Sequence, residues 1–295
     1  MPDLRVALIG LDTSHTIEFA RRMQAPDVAA DQKVEGIKAV ACLRFSTPFQ
    51  NEEGLDQRQA QLEAWGIKVT TDFDEAVADC DALMLEINDA AYHLEYFTRC
   101  AVLGKPIFLD KPLADNIEHG KAIYEIIKTK NLKVFSASSL RFVPQLTQAC
   151  DAVPDPAFAH MYGPLGKAPA GSSIVWYGVH AFEMLERAMG RGAVSVFARR
   201  DGAGVVAIVE YPDARRGVVE LIEGVWLYGG SLRDRAKAVA PFVVEMGRAY
   251  SDLLAEIVKF FRGAKPPVEL DDTLEIMGML DAAERSTQSG AARAL

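Results

Sequence analysis

The fold is decided by the stretch Lys105-Pro106-Ile107-Phe108-Leu109-Asp110-Lys111-Pro112-Leu113-Ala114, in which an apolar strand pattern ends at an acid and an amine. Proline disfavours the helical conformation of the residue before it, so Lys111 is expected to be extended at the end of the strand. In an open α/β sheet, ligands bind outside the carboxyl ends of the strands. The pattern therefore places Lys111 where a ligand would be met, although a solvated lysine at a strand exit would explain this segment as well.

Strand and helix patterns alternate on both sides of this stretch, through the first half of the chain. The strand patterns are Val6–Ile9, Ile37–Cys42, Lys68–Thr70, Ala82–Ile87, Pro106–Leu109 and Leu132–Ser136. Ala82–Ile87 is interpreted as a strand buried on both faces of a parallel sheet. A repeated βα order predicts a doubly wound parallel sheet of the Rossmann type, so we assign residues 1–138 to a dinucleotide-binding domain.

The pattern changes after Arg141, and we assign residues 139–295 to a domain for substrate binding and oligomerisation. Two strand patterns, Val194–Ala198 and Val205–Tyr211, flank the hairpin signal Asp201-Gly202, and Gly217–Ile222 is a third candidate strand. The stretch from Pro154 to Gly171 is rich in proline and glycine. Helix patterns cover Val179–Met189, Pro241–Phe261 and Asp272–Ser289. Strands followed by helices predict an α+β domain with an open, mainly antiparallel sheet.

Composition excludes several classes of function. The 295 residues carry a net charge of −9, which argues against nucleic acid as a partner. The chain enters a hydrophobic strand too early for a secretory signal, and no apolar run approaches the ~20 residues of a membrane span. The four cysteines are scattered without metal-ligand or disulfide spacing. We therefore expect a cytoplasmic protein with no bound metal and no membrane partner.

The loop after the first strand resembles a dinucleotide loop only in part. A Gly-x-Gly-x-x-Gly loop would need glycines at 10, 12 and 15, and the chain has Gly10, Asp12 and His15. Thr13, Ser14 and the N–H groups of the helix start could still bind an anion such as the pyrophosphate of a dinucleotide. Alternatively, Asp12, Thr13 or Ser14 caps the helix, and we consider capping the better explanation.

The end of the second strand bears on the choice between NAD and NADP. An acid for the NAD ribose is usual there, but the chain reads Cys42-Leu43-Arg44. Arg44 could pair with the 2′-phosphate of NADP, and an exposed surface arginine explains it equally well. The residues themselves leave the cofactor as NAD or NADP.

Four segments in order carry a resemblance to a known family: Asp81-Ala82-Leu83 through Asn88 to His93, Gly104–Ala114, Leu140-Arg141-Phe142 with Pro144, and Glu269–Leu295. Over most of its length the chain resembles the Gfo/Idh/MocA oxidoreductases, which are NAD(P)-dependent and act mostly on sugars and polyols. The second segment is similar to the family's Glu-Lys-Pro, with Asp110 in place of the glutamate. The resemblance implies a divergent member that binds NAD or NADP and forms a homodimer or homotetramer through the outer face of its second sheet.

The family's catalytic segment, Asp-x-Gly-x-His, is similar to Trp176-Tyr177-Gly178-Val179-His180. The resemblance implies that His180 is the acid/base and Lys111 its partner. A histidine pKa near ~6.5 suits proton exchange at neutral pH, and an ammonium would stabilise a developing alkoxide. Further cofactor contacts are implied for Asn88, His93 and Asp110, and substrate contacts for Arg141, Trp176, Tyr177 and Glu183.

Two departures from the family bear on function. Trp176 replaces the aspartate, and it either fills the core or stacks on a sugar ring or nicotinamide. Asp89 replaces a proline before His93, which is either a site residue or a structural one. The leading hypothesis is hydride transfer between nicotinamide and a carbinol of a sugar or polyol. The alternatives are a non-redox ligand-binding or regulatory homologue, and a lyase or hydrolase with tightly held nicotinamide.

Overall fold

The computed structural model describes residues 2–295, which form two compact units. The first unit contains residues 2–114, 119–136 and 250–270. The second contains residues 115–118, 137–249 and 271–295. Residues 250–270 therefore pack with the N-terminal unit, although in the sequence they lie between two segments of the second unit. The boundary at residue 138 stays a prediction about domains that fold independently.

The first unit is built on a six-stranded sheet. Its strands are β1 (Leu4–Ile9), β2 (Ile37–Leu43), β3 (Lys68–Thr70), β4 (Ala82–Leu85), β5 (Ile107–Asp110) and β6 (Val134–Ala137). The helices between them are α1 (Ser14–Gln24), α2 (Glu52–Ala64), α3 (Phe73–Val77), α4 (His93–Ala101) and α5 (Ile117–Lys130). The strand order is β3-β2-β1-β4-β5-β6, and the predicted doubly wound parallel sheet is confirmed.

The strand order of the first sheet locates its binding edge. β1 pairs in parallel with β2 on one side and with β4 on the other, so the chain reverses its direction of winding between β1 and β4. Doubly wound sheets bind ligands in the crevice outside the carboxyl ends of the strands at this point. The central strands are rigid supports for that edge, because the side chains of β4 and β5 are all buried.

The second unit is built on a seven-stranded sheet of order β12-β11-β7-β10-β9-β8-β13. Its strands are β7 (Phe158–Pro164), β8 (Ser195–Asp201), β9 (Gly204–Glu210), β10 (Arg216–Ile222), β11 (Gly229–Arg233), β12 (Val239–Val243) and β13 (Arg293–Ala294). The remaining helices of the chain are α6 (Pro144–Ala152), α7 (Val179–Met189), α8 (Ala249–Phe261) and α9 (Leu270–Ser289). β7 and β10 are parallel and the other pairs antiparallel, which confirms the predicted mainly antiparallel sheet.

In the second half one strand was not predicted and one predicted helix was wrong. The stretch from Pro154 to Gly171, for which no strand was predicted, contains β7. The predicted helix Pro241–Phe261 is a strand, β12, followed by α8, which begins only at Ala249. In β12 the side chains alternate, with Phe242 8% exposed and Val243 50% exposed, and this period of two marks a strand. Proline is tolerated there because β12 lies at the edge of the sheet.

Among residues 2–295, none of the helices combines the length and the apolar character that crossing a lipid bilayer requires.

Phe108 at the centre of β5 provides a test of the first core. Its side chain is fully buried, and its ring centroid lies 5.1 Å from that of Phe135 and 6.1 Å from that of Phe19. Phe108→Ala is expected to lower the free energy of unfolding by about 3–5 kcal/mol, because it removes buried apolar surface and leaves a cavity. Urea unfolding followed by circular dichroism measures this. The control Val102→Ala, at a side chain 71% exposed, should change it by less than ~0.5 kcal/mol; equal effects of the two variants would contradict the assignment of this core.

Candidate active site

The turn after β1 can be formed only by glycine at position 10. Gly10 has a φ of 112°, and a Cβ atom there would lie 2.3 Å from the carbonyl oxygen of Glu86. The hydroxyl of Thr16 donates a hydrogen bond to the Gly10 carbonyl at 3.0 Å and so holds the turn against α1. The first glycine of a dinucleotide loop serves this purpose, a tight turn between strand and helix.

Asp12 binds backbone and hydroxyl donors from two other loops. One carboxylate oxygen accepts the N–H of Asn88 at 2.8 Å, and the other accepts the N–H of Asp89 at 3.1 Å and the hydroxyl of Thr47 at 2.8 Å. The helix is instead capped by Thr13, whose hydroxyl accepts the N–H of His15 at 3.1 Å. Of the residues considered for capping, the structure therefore selects Thr13. Phosphate contacts by Asp12, Thr13, Ser14 or His15 stay predictions.

Asp110 and Lys111 form a buried charged pair at the end of β5, with His15 as a third member. The Asp110 carboxylate lies 2.7 Å from Nδ1 of His15 and 3.8 Å from the Lys111 ammonium. Asp110 and Lys111 are 1% and 5% exposed. Burial alone would raise the pKa of Asp110, but the His15 ring and the Lys111 ammonium lower it to about 2. Asp110 is therefore ionised near neutral pH and fixes an ammonium at the carboxyl edge of the sheet.

Glu86 is a site residue that the sequence analysis missed. It is fully buried, and neither of its carboxyl oxygens has a hydrogen-bond partner. One carboxyl oxygen of Glu86, one ring nitrogen of His15 and one carboxylate oxygen of Asp110 all lie within 4.8 Å of one another. Burial and the neighbouring Asp110 charge raise the pKa of Glu86 well above its usual value, which favours its neutral form. The signal was visible in the sequence as one acid inside the apolar run Ala82–Ile87.

His93 joins the loops that follow β4 and β5. Its ring nitrogens lie 2.8 Å from the carbonyl oxygen of Ile87 and 3.3 Å from that of Leu113, and its side chain is fully buried. These contacts give His93 a structural role next to the N–H of Asn88, which binds Asp12. Cofactor contacts by Asn88 and His93 stay predictions.

Arg44 at the end of β2 is held by acids from α2. Its guanidinium lies 2.9 Å from the carboxylate of Glu52 and 2.6 Å from that of Asp56, and it donates to Gln59 at 2.7 Å. A 2′-phosphate of NADP would have to compete with both carboxylates for this guanidinium. The role of Arg44 in cofactor choice stays a prediction.

In the second unit, His180 is held by a serine that the sequence analysis also missed. Nδ1 of His180 lies 2.6 Å from the hydroxyl oxygen of Ser138, and both residues are buried. The same oxygen accepts the N–H of Leu140 at 3.1 Å. Ser138 thus fixes the orientation of the imidazole. Ser138 and His180 are 42 residues apart, so no local spacing pointed to the pair.

Glu183 supports Ser138 as part of a buried charge network. Its carboxylate accepts the Ser138 N–H at 3.1 Å and lies 3.3 Å from the guanidinium of Arg141, which also pairs with Glu186 at 2.5 Å. One guanidinium cannot neutralise two buried carboxylates, and burial raises the pKa of Glu183 to about 7 although Arg141 opposes this. Arg141, predicted to contact substrate, is 7% exposed and committed to this network; substrate contacts by Arg141 and Glu183 stay predictions.

Trp176 and Tyr177 lie on a helical turn. Residues Ile174–Gly178 form a short π-helical turn that continues directly into α7. The Tyr177 ring lies edge-on to Trp176 at a centroid distance of 4.4 Å and 6.0 Å from the ring of His180. Both aromatic side chains are partly exposed. Their contacts with a substrate stay predictions.

Glu183→Gln tests the charge network through its pH dependence. Between about pH 4.3 and pH 7, the unfolded chain has lost a proton that folded Glu183 keeps, so the free energy of unfolding falls as pH rises and then levels off. The variant should reduce this fall by at most about 4 kcal/mol. Denaturant unfolding across this pH range measures it, with Glu245→Gln, the same change at an exposed side chain, as control. A fall as steep as in the wild type would contradict the raised pKa.

Comparison with known proteins finds a family model that matches the N-terminal part of the chain. Residues 4–138 match the family model GFO_IDH_MocA, described as an oxidoreductase family with an NAD-binding Rossmann fold. No match was found among curated proteins.

The whole chain is similar in fold to solved dehydrogenases. Myo-inositol 2-dehydrogenase from Lactobacillus plantarum is 17% identical, with a TM-score of 0.80 and 99% of each chain covered. Scyllo-inositol dehydrogenase from Lactobacillus casei, solved with NAD(H) and scyllo-inositol, is 14% identical, with a TM-score of 0.80 and 99% of each chain covered. A myo-inositol dehydrogenase from Corynebacterium glutamicum is 17% identical, with a TM-score of 0.79 and the same coverage. The predicted resemblance is confirmed: residues 4–138 match the model of the Gfo/Idh/MocA oxidoreductase family, and the NAD-binding Rossmann fold of that model supports NAD or NADP as cofactor.

Proposed function

We propose that this protein is an NAD-dependent oxidoreductase that transfers a hydride between nicotinamide and a secondary alcohol of a polyol or sugar. The observation that carries the proposal is the buried Asp110–Lys111 pair at the carboxyl end of β5, in a sheet of order β3-β2-β1-β4-β5-β6. A fixed ammonium at this edge is a suitable group to meet the oxygen of a substrate. The likeness in fold to inositol dehydrogenases supports a polyol as the substrate class.

The residues around the β1 turn fit a dinucleotide. Gly10 forms the tight turn, and the first turn of α1 contains no acid that would repel a pyrophosphate. Asp12 is the main departure from the fingerprint, but three donors from neighbouring loops compensate its charge. Gly10 and the N-terminus of α1 would hold the pyrophosphate, and bound nicotinamide would supply the hydride acceptor or donor.

Lys111 would stabilise the negative charge that develops on the substrate oxygen. Its ammonium is oriented by the carboxylate of Asp110, which is ionised near neutral pH and lies 3.8 Å away. Asp110 would act as a positioning residue for Lys111.

His180 would take the hydroxyl proton of the alcohol during oxidation and return it during reduction. Ser138 orients the ring through Nδ1, and we assign the proton exchange with substrate to Nε2. Glu183 accepts the Ser138 N–H, so it would act on the imidazole only through the serine. In this proposal Ser138 orients the imidazole of a chain in which Trp176 replaces the aspartate of the family's catalytic segment.

A non-redox homologue was the second hypothesis from the sequence. Asp12 and His15 supported it, because they stand where a dinucleotide loop has glycines. Both residues have structural partners at the carboxyl edge, Asp12 with backbone N–H groups and His15 with Asp110. The match to an oxidoreductase family favours the catalytic proposal.

Substitution of the two proposed catalytic residues tests the reaction. Lys111→Ala and His180→Ala should each lower kcat by at least about 100-fold, and Ser138→Ala by roughly tenfold to hundredfold with an altered pH profile, because the imidazole loses its orientation. The assay follows nicotinamide reduction with myo-inositol, scyllo-inositol and free sugars, and circular dichroism checks folding. Failure of both NAD and NADP to bind in calorimetry at about millimolar concentration would refute the proposed function.

The pairing of Arg44 leads to a separate prediction about cofactor choice. Because Glu52 and Asp56 already neutralise its guanidinium, NAD should bind at least about tenfold more tightly than NADP. The double variant Glu52→Gln/Asp56→Asn releases Arg44 and should tighten NADP binding while leaving NAD binding unchanged. Calorimetry with both dinucleotides measures this, and unchanged NADP affinity in the double variant would contradict it.

A further inference from the structure

An aromatic row beside His180 continues to the surface of the second unit. The Tyr177 ring contacts His180 at a centroid distance of 6.0 Å on one side and Trp226 at 5.3 Å on the other. Tyr228 lies 5.5 Å from His180 and completes the row. All four residues belong to the same unit, so these contacts are fixed by its own fold.

Two glycines make room for these rings against the backbone. A Cβ atom at Gly166 would lie 2.8 Å from Cδ2 of Tyr177, and one at Gly163 would lie 2.7 Å from Cδ1 of Tyr228. Gly166 also has a φ of 67°, a conformation that other residues rarely adopt. The row is therefore built by the local sequence around β7 as well as by the aromatic residues themselves.

Trp226 is exposed at the outer end of the row, next to a polar cleft. It lies between β10 and β11 and is 68% exposed. The cleft has a volume of about 510 Å³, and its lining includes Lys167, Ser173, Arg200 and Glu223 as well as Trp226. Small-molecule sites typically have volumes of ~300–1,000 Å³. The cleft is thus large enough for a ring-sized ligand, and only the Tyr177 ring lies between Trp226 and His180 in the row.

The chemistry of the cleft fits a carbohydrate ring. An exposed indole offers a flat apolar surface for the C–H face of a pyranose, and sugar hydroxyls need both donors and acceptors. Arg200 and Glu223 supply these, because their charged groups are 3.8 Å apart and both side chains are about half exposed. A loose pair of this kind can rearrange to bind hydroxyl groups.

We propose that the cleft lined by Trp226, Arg200 and Glu223 is a second substrate subsite that binds a pyranose ring beyond the reacting one. The substrate class is then a glycosylated polyol or a disaccharide, not a free inositol or monosaccharide. This inference rests on the proposed function for the identity of the reacting ring, but saccharide binding in the cleft can be tested without it.

The first experiment measures binding without cofactor. Cellobiose and maltose are titrated into the full-length chain and followed by calorimetry and saturation-transfer NMR. Trp226→Ala is expected to weaken disaccharide binding by at least about tenfold, Trp226→Phe to restore much of it, and Leu227→Ala, the neighbouring exposed side chain, to change it by less than about threefold. Circular dichroism checks that the variants fold.

The second experiment measures turnover and separates the subsite from the proposed function. The ratio of kcat/KM for a disaccharide to that for myo-inositol should fall in Trp226→Ala, while kcat/KM for myo-inositol is retained. Absence of hydride transfer with any substrate would refute the proposed function and leave the binding result intact. The subsite is overturned if neither disaccharide binds or if Trp226→Ala binds them as the wild type does. It is also overturned if the variant changes only the oligomeric mass in light scattering, since Trp226 would then be an assembly contact.

Discussion

A buried negative charge requires positive partners, and Asp110 imposes this requirement on the whole carboxyl edge of the first sheet. Its carboxylate contacts both His15, in the first turn of α1, and Lys111, at the end of β5. In the second unit the buried acids outnumber the positive charges. Arg141 pairs with both Glu183 and Glu186, and the raised pKa of Glu183 favours its protonated form. Each unit thus organises its candidate catalytic group around a charge that water cannot reach.

The parallel sheet was predictable because its signals are local. The strands β1, β4 and β5 are short apolar runs followed by helical patterns, and this order admits few topologies. The strands missed in the second half lack such signals. β11 opens with two glycines, β7 ends in Gly163-Pro164, and β12 contains Pro241, all residues that sequence reasoning assigns to loops. Pairing with neighbouring strands overrode these local preferences.

The candidate site was predictable only in its individual residues. Lys111 and His180 were identified by position and resemblance, but the partners that orient them depend on long-range packing. The contacts of Ser138 with His180 and of Asp12 with Asn88 join residues that are 42 and 76 positions apart in the sequence. Glu86 was not predicted as a site residue, because a single acid in an apolar run becomes a candidate only when its spatial neighbours, here His15 and Asp110, are known.

Pro241 has a consequence for how copies of this chain can associate. β12 is one edge of the second sheet, and a proline there removes a backbone donor that an added strand would need. At the opposite edge, the two residues of β13 cover part of β8 and offer only a minimal template. Both margins of the sheet therefore resist growth by strand addition. The sheet is thus protected against aggregation by edge-to-edge strand pairing. Its broad faces, and not its edge strands, remain for ordered contact between chains.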